Sequence, residues 1–146
     1  MSKDKAPPVL DDQSTEMILQ MVAGSALPIA AGTIASMKPL HIVLNEHMGK
    51  RSLSTDVLFE RIGASRSFGF RVMSGTRRPG RNTIISLAVE LSLGYDETQA
   101  LLKSGRVAQL TPRDERDLIL LFGILHRLQL GEINDMLDAN QMECLA

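Results

Sequence analysis

The stretch STDVLFERIGASRSFGFRVMSGTRRPGR, residues 54–81, predicts a short helix, a three-residue turn, a second short helix and a basic exit that contains proline. This layout is typical of proteins that place the second helix in the major groove of DNA. The rest of the chain is interpreted as a scaffold for this stretch. The pattern therefore indicates sequence-specific DNA binding, and it identifies neither the DNA site nor the genes controlled.

The positive charge of the chain is concentrated on this stretch. Residues 47–81 carry eight basic and two acidic side chains, whereas the whole chain of 146 residues has a formal net charge of −1. The segments before and after it contain more acidic than basic residues. Because phosphate binding needs a local basic surface rather than a basic average, the near-neutral total does not exclude a nucleic-acid partner.

The composition favours packed helices. Hydrophobic residues make up 44% of the chain, but only 3% are aromatic and there is no Trp, so the core must be built from aliphatic side chains. We therefore predict an all-α protein. The single cysteine, Cys144, excludes an internal disulfide and a cysteine-based metal cage, which fits a cytoplasmic protein.

Residues 1–37 are expected to form a polar tail followed by an uncharged helix or loop. Residues 17–37 carry no charge and are long enough to suggest a membrane span. Gly24, Pro28 and Gly32 interrupt this segment, and the residues just before it are acidic, which argues against a span or a signal peptide. We expect no membrane partner and a short helix over 15–23, packed on the domain or on a partner chain.

Apolar spacing predicts five helices between residues 38 and 105, the first of which begins at Leu40. Glycines and capping residues mark their ends. The predicted caps and stops are Gly49, Ser54, Gly63, Ser65, Gly75, Gly94, Asp96 with Gln99, and Gly105. The inward side chains are predicted to be Val57, Leu58 and Ile62 on the second helix, and Ile84, Leu87, Ala88 and Leu91 on the fourth.

Residues 38–105 resemble the Cro/C1-type (XRE family) helix-turn-helix domain of phage repressors and bacterial regulators. The positions that match at the family's spacing are Leu58, Ile62, Gly63, Ser65, Arg66, Ser67, Arg71, Val72, Ser74, Gly75, Arg78 and Pro79. Residues 111–145 resemble the helical C-terminal extension of a subgroup of such proteins in Gram-positive bacteria. The resemblance implies a five-helix, lambda repressor-like domain and a repressor-like transcriptional regulator without enzymatic activity.

One pair of residues departs from the family pattern. The second helix usually has alanine where this chain has Phe59, and the third usually has isoleucine or valine where it has Gly69. Because the two positions normally touch, a large residue on one helix and a small one on the other keep the volume of the crossing constant. We predict that Phe59 packs onto Gly69. The alternative is that Gly69 only weakens its helix, by about 1 kcal/mol relative to alanine.

The solvent side of the third helix supplies the candidate base-reading residues, which are Arg66, Ser67, Phe70 and Arg71. Arginine can form two hydrogen bonds with guanine, and a phenylalanine ring can meet the methyl group of thymine. The matching family positions also reach base edges. Each arginine taken singly is explained equally well as a solvated or phosphate-bound charge.

Phosphate contacts need hydrogen-bond donors on the caps and loop beside the recognition helix. The candidates are Ser54, Thr55, Ser65, Thr76, Arg77, Arg78 and Arg81. The family resemblance places Thr55 and the loop after Gly75 on the DNA backbone, and Pro79 is expected to stiffen that loop.

The sequence of the C-terminal extension predicts two more helices. A long helix is expected from Thr111 and Pro112 to about Leu128, and a last helix from Gly131. Apolar residues cover more than one stripe of the long helix, at Leu118, Ile119, Leu121, Phe122, Ile124, Leu125 and Leu128. This helix is either central in one chain or shared between two, so a homodimer and an intrachain hairpin both remain open.

Enzymatic activity has little support in the sequence. His41, His47 and His126 are scattered without metal-ligand spacing, there is no glycine-rich phosphate loop, and no cofactor is expected. The main hypothesis is a regulator that binds double-stranded DNA as a dimer. The rival hypothesis is an adaptor or antitoxin that holds a protein partner through the N-terminal segment or the C-terminal helices.

Overall fold

The computed structural model describes residues 38–145, and this part of the chain is all-helical, without a strand. The expectations for residues 1–37 lie outside the described residues. The helices are α1 (Leu40–Lys50), α2 (Thr55–Arg61), α3 (Arg66–Met73), α4 (Arg81–Glu90), α5 (Tyr95–Ser104), α6 (Glu115–Leu125) and α7 (Leu130–Ala139). None of these helices is both long enough and apolar enough to cross a membrane.

The ends of α2 and α3 follow the local capping signals. The hydroxyl oxygen of Ser54 accepts the backbone N–H of Val57, and that of Ser65 accepts the backbone N–H of Phe68. Gly63 and Gly75 have φ angles of 76° and 81°, the left-handed conformation that favours glycine. The predicted caps and turns of this stretch are confirmed.

The inward face of α2 differs from the prediction at Val57. Val57 is 38% exposed, whereas Phe59 is only 1% exposed and lies beside Leu58 and Ile62 in the core. Positions 57 and 59 lie on opposite sides of the stripe formed by 58 and 62, so this short helix cannot bury both. The larger phenylalanine takes the inward place because it removes more apolar surface from water.

Three predicted helix boundaries also differ from the structure. Gly49 lies inside α1, which ends at Lys50. Helix α4 ends at Glu90, and the left-handed residue after it is Ser92, with φ 55°. Gly94 instead precedes α5, where its backbone N–H donates to the Glu97 carboxylate at 3.2 Å. The predicted start at Asp96 therefore falls within the first turn of α5.

The long C-terminal helix is shorter than predicted. Helix α6 begins after Asp114, whose carboxylate accepts the backbone N–H of Asp117 at 2.9 Å. Thr111 lies outside α6, and its backbone N–H donates to the Asp117 side chain. At the other end, the left-handed φ of 56° at Arg127 interrupts the helix before Leu128.

One core joins all seven helices. Leu44, Leu58, Ile84, Ile85, Leu87, Leu101, Leu102, Leu120, Ile133 and Leu137 are all fully buried. Helix α4 packs on α2, α5 and α7, and α6 packs on α5 and α7. The C-terminal pair α6–α7 therefore completes the core of residues 38–105 within a single chain.

Candidate nucleic-acid interface

Helices α2 and α3 lie against each other across the turn formed by residues 62–65. The inner side of α3 is buried at Gly69 and Val72, and α3 also packs on α1. Two sides of α3 are therefore fixed by the protein, and its remaining side faces solvent. A helix held in this way can be presented as a rigid unit to another molecule.

The predicted packing of Phe59 onto Gly69 is confirmed. A Cβ atom added to Gly69 would lie 2.8 Å from Cγ and 3.1 Å from Cβ of Phe59, which is too close for a real contact. The Phe59 ring also meets Phe68 edge to face, with ring centroids 6.3 Å apart. Phe59 therefore sets how closely α3 approaches α2.

The four candidate base-reading residues all project from α3 into solvent. Ser67 and Arg71 are exposed, the Arg66 side chain is 83% exposed, and Phe70 is 71% exposed. The structure thus brings the predicted base readers together on the free side of one helix.

Arg66 has a partner that the sequence did not indicate. Its guanidinium lies 2.9 Å from the carboxylate of Asp56 on α2, and both side chains are more than half exposed. Such a pair contributes little to stability because water screens it. The pair nevertheless directs the Arg66 side chain toward α2. Arg66 can therefore contact a base only if it leaves Asp56 or binds Asp56 and the base together.

Ser54, Thr55 and Ser65 lie at the start of the two helices. Ser54 and Ser65 are exposed and Thr55 is half-buried. Because each serine oxygen accepts a backbone N–H, its hydroxyl proton stays available for a phosphate oxygen. The hydroxyl groups of Ser54 and Ser65 can therefore still donate a hydrogen bond, which the predicted phosphate contacts require.

The loop after α3 is ordered around the backbone carbonyl of Arg71. The hydroxyls of Ser74 and Thr76 donate to this oxygen, at 3.1 and 3.2 Å, as do the backbone N–H groups of Thr76 and Arg77. Thr76 therefore has no free donor in this arrangement. A phosphate contact by the Thr76 hydroxyl would require its proton to leave the Arg71 carbonyl, and this contact stays a prediction.

Arg77 and Arg78 are exposed on the same loop. The guanidinium carbon of Arg77 lies 5.2 Å from the centroid of the Phe68 ring, a cation–π contact that orients the arginine without neutralising it. Pro79, which follows, is buried. These two arginines remain available for phosphate contact.

Arg81 is placed differently from the prediction. Its guanidinium forms a two-point ion pair with Asp117, at 3.0 and 2.7 Å, and donates to the carbonyls of Ala108 and Gln109 at 2.8 and 3.1 Å. The Asp117 side chain is 4% exposed and that of Arg81 is 26% exposed. Arg81 therefore links α4 to the segment that leads into α6. A phosphate contact by Arg81 would have to compete with this ion pair, and it stays a prediction.

The basic surface is thus formed mainly by Arg66, Arg71, Arg77 and Arg78. Burial lowers the pKa of His47, so this residue stays neutral at pH 7 and adds nothing to the surface. Within residues 38–145 there is no group of three or more His, Cys, Asp or Glu side chains able to hold a metal ion. The arrangement offers hydrogen-bond donors and positive charge, which suits a polyanion.

No family model, curated protein or solved structure matches this chain. The resemblance to the Cro/C1-type family therefore stays a prediction.

Proposed function

We propose that the protein is a sequence-specific regulator of transcription that binds double-stranded DNA with α3 in the major groove. Residues 38–105 would act as a Cro/C1-type helix-turn-helix domain, without a cofactor and without catalysis. The observation that carries the proposal is the free side of α3, where exposed Arg66, Ser67, Phe70 and Arg71 lie together. A helix whose other sides are packed on α1 and α2 fits this role.

The two kinds of contact are separated along the chain. Arg66 and Ser67 begin α3, and Phe70 and Arg71 lie one turn further along the same exposed side. These side chains would reach base edges and determine which sequence is bound. Ser54, Ser65, Arg77 and Arg78 flank α3 and would hold phosphates on either side of the groove. We therefore propose that α3 determines which DNA sequence is bound, and that the residues flanking α3 supply affinity for any sequence.

The first test is binding of the whole protein to random genomic DNA fragments, which are then sequenced, at two salt concentrations. We expect an enriched short motif and an affinity that falls steeply as salt rises, because binding releases counterions from the phosphates. Absence of an enriched motif, or an affinity that salt leaves unchanged, would contradict the proposal. It would favour a protein-binding adaptor instead.

Substitutions then distinguish the two kinds of arginine. Arg71→Ala is expected to weaken binding to the enriched site by about 1–3 kcal/mol, or about 5- to 160-fold, and to relax preference at one position. Arg78→Ala is expected to weaken binding to all sequences alike and to reduce the salt slope by about 1. Binding titrations on the enriched site and on a scrambled site measure both effects.

Arg113→Ala is the matched control for these variants. Arg113 is exposed in the segment before α6, outside α2, α3 and the loop that follows. The change removes the same charge and should leave sequence preference unaltered. If it acts as strongly as Arg71→Ala, the effect of the α3 variants would be one of general charge rather than of base reading.

The rival function, a protein-interaction adaptor, is supported by a separate observation. Leu118, Phe122 and Leu125 on α6 are 53%, 48% and 61% exposed, and an exposed apolar patch often marks a protein-binding surface. An adaptor would keep partner binding when Arg71 and Arg78 are both replaced. A DNA-binding regulator would lose its function in the same variant.

A further inference from the structure

Within residues 38–145, Arg66 is the one arginine of the basic surface that has a carboxylate partner. Its Nη2 atom lies 2.9 Å from Oδ2 of Asp56. The other three arginines, Arg71, Arg77 and Arg78, have no such partner in this part of the chain. The pair joins the first turn of α2 to the first residue of α3, so it spans the turn between the two helices. Arg66 is therefore held differently from the other arginines of this surface.

The carboxylate of Asp56 suits the dipoles of both helices. The N-terminus of a helix carries a partial positive charge, so a guanidinium is unfavourable there and a carboxylate is favourable. Arg66 begins α3, which has no acidic residue in its own first turn, and Asp56 supplies the missing negative charge from α2. This structural contribution is small, because both side chains are more than half exposed.

The pair leaves enough of the Arg66 guanidinium free to bind a base. A guanidinium has five N–H donors, and even a two-point contact with a carboxylate occupies only two of them. Guanine accepts two hydrogen bonds from an arginine, at its O6 and N7 atoms. Arg66 can therefore bind Asp56 and guanine at the same time.

The charge of Asp56 determines which acceptor suits the paired guanidinium. A phosphate oxygen brought to Arg66 would place a second negative charge close to the Asp56 carboxylate, and like charges repel. The O6 and N7 atoms of guanine accept hydrogen bonds but carry no net charge. Asp56 therefore disfavours phosphate at Arg66 and leaves guanine as the better acceptor.

The pair also restricts Arg66 before DNA arrives. A free arginine side chain has many rotamers in water, and binding a base costs the entropy of fixing one of them. The contact with Asp56 removes part of this cost in advance. When the groove excludes water, the ion pair is screened less and becomes stronger. The contact is therefore expected to persist in the complex with DNA.

We propose that Asp56 is a positioning residue that directs Arg66 to a guanine base and away from phosphate, and that thereby raises the sequence specificity of DNA binding. Without the carboxylate, Arg66 would turn to the DNA backbone, where it would add affinity for any sequence. This inference rests on the proposed function, in which α3 enters the major groove.

Glu60→Gln is the matched control for Asp56→Asn. Both changes remove one negative charge from an exposed side chain of α2 at nearly constant size, but only Asp56 pairs with Arg66. The base pair that Arg66 reads is identified first, as the position of the enriched site at which Arg66→Ala loses preference. Each variant is then titrated, at two salt concentrations, with the enriched site, with the three other bases at that position, and with a scrambled site.

Asp56→Asn is expected to reduce the preference for guanine at this position by about 3- to 10-fold, which is part of the discrimination that a good arginine–guanine pair provides. Binding to the scrambled site should become about 2- to 5-fold tighter, the size of one exposed ion pair. The salt slope should steepen by about 1, because one more phosphate is held. Glu60→Gln should leave the guanine preference unchanged. An unchanged preference in Asp56→Asn, or an equal loss in both variants, would overturn the proposal.

Two further variants separate positioning from a structural role and from direct reading by Asp56. Asp56→Glu keeps the charge and should retain most of the guanine preference. In the Arg66→Ala background, Asp56→Asn should cause no further change of preference at this position, because Asp56 acts through Arg66. A further loss there would mean that Asp56 contacts the base itself, and it would overturn the positioning role. Thermal unfolding of each variant checks that the protein used in the titrations is folded.

These outcomes are separate from the test of DNA binding. If the unaltered protein enriches a motif and Arg66→Ala changes the preference at no position of it, the role of Asp56 is overturned and the proposed function stands. If the unaltered protein enriches no motif, both are overturned.

Discussion

Replacing Asp117 by alanine is expected to lower the free energy of unfolding by about 3 kcal/mol or more. The Asp117 carboxylate accepts two hydrogen bonds from Arg81 and one from the backbone N–H of Thr111. Its removal leaves a guanidinium that is only 26% exposed without its counter-ion, and it leaves the Thr111 N–H unpaired. The loss of both partners explains the size of the effect.

Urea unfolding followed by circular dichroism measures this change. Asp135→Ala is the control, because Asp135 is an exposed carboxylate on α7 and its removal should change stability by less than about 0.5 kcal/mol. Arg81→Ala should also destabilise, since it leaves the 4% exposed Asp117 without its charged partner. An Asp117→Ala effect below 1 kcal/mol would mean that this ion pair does not fasten the C-terminal helices to α4.

The variant Arg81→Ala also tests whether Arg81 has a structural role or contacts DNA. If Arg81 contacted phosphate, Arg81→Ala would reduce the salt slope of DNA binding in the way expected for Arg78→Ala. The ion pair with Asp117 predicts instead a loss of stability with an unchanged salt slope. Binding titrations in the range of temperature where the variant is folded distinguish the two.

The second large effect concerns the crossing of α2 and α3. Gly69→Val is expected to destabilise the protein by about 1–3 kcal/mol, because the new side chain overlaps Phe59. Phe59→Ala is expected to cost about 3–5 kcal/mol, because it removes a fully buried ring and leaves a cavity. The clash at Gly69 involves Cβ and Cγ of Phe59, which lie near the backbone and cannot move aside easily.

The double variant Phe59→Ala/Gly69→Val should recover part of the loss. Valine on α3 then occupies space that the phenylalanine ring has left, so the sum of the two single effects should exceed the effect of the double variant by about 1–3 kcal/mol. Gly49→Val is the control, since a Cβ added to Gly49 meets nothing within 4 Å. Strict additivity, or an unchanged stability for Gly69→Val, would contradict the packing of Phe59 on Gly69.

Local signals were sufficient for the helix-turn-helix stretch. Ser54 and Ser65 each bond to a backbone N–H three residues ahead, and Gly63 has the positive φ that the turn requires. The pairing of Phe59 with Gly69 was predicted as well, through the family pattern and the conservation of volume between two neighbouring helices. These features depend on residues that are close along the chain, so the local sequence is enough to predict them.

Local signals failed where several residues compete for one role. Val57 and Phe59 were both candidates for the inner face of α2, and burial of the larger ring excluded the other. Gly94 was expected to end α4, but Ser92 took the left-handed conformation two residues earlier. The packing of Phe59 on Gly69 of α3 decided the first case, and the sequence contains no rule that ranks the candidates.

By itself the sequence determined the all-helical character of residues 38–145, the caps of α2 and α3, and the set of side chains on the free side of α3. Only the tertiary structure decided that Arg81 pairs with Asp117, 36 residues away, and that α6 buries one face while Leu118, Phe122 and Leu125 stay outside. Hydrogen bonds and periodicity within a helix are encoded by neighbouring residues. The partner of a buried charge and the exposed side of an apolar helix depend on where distant elements pack, and that is settled only when the core is complete.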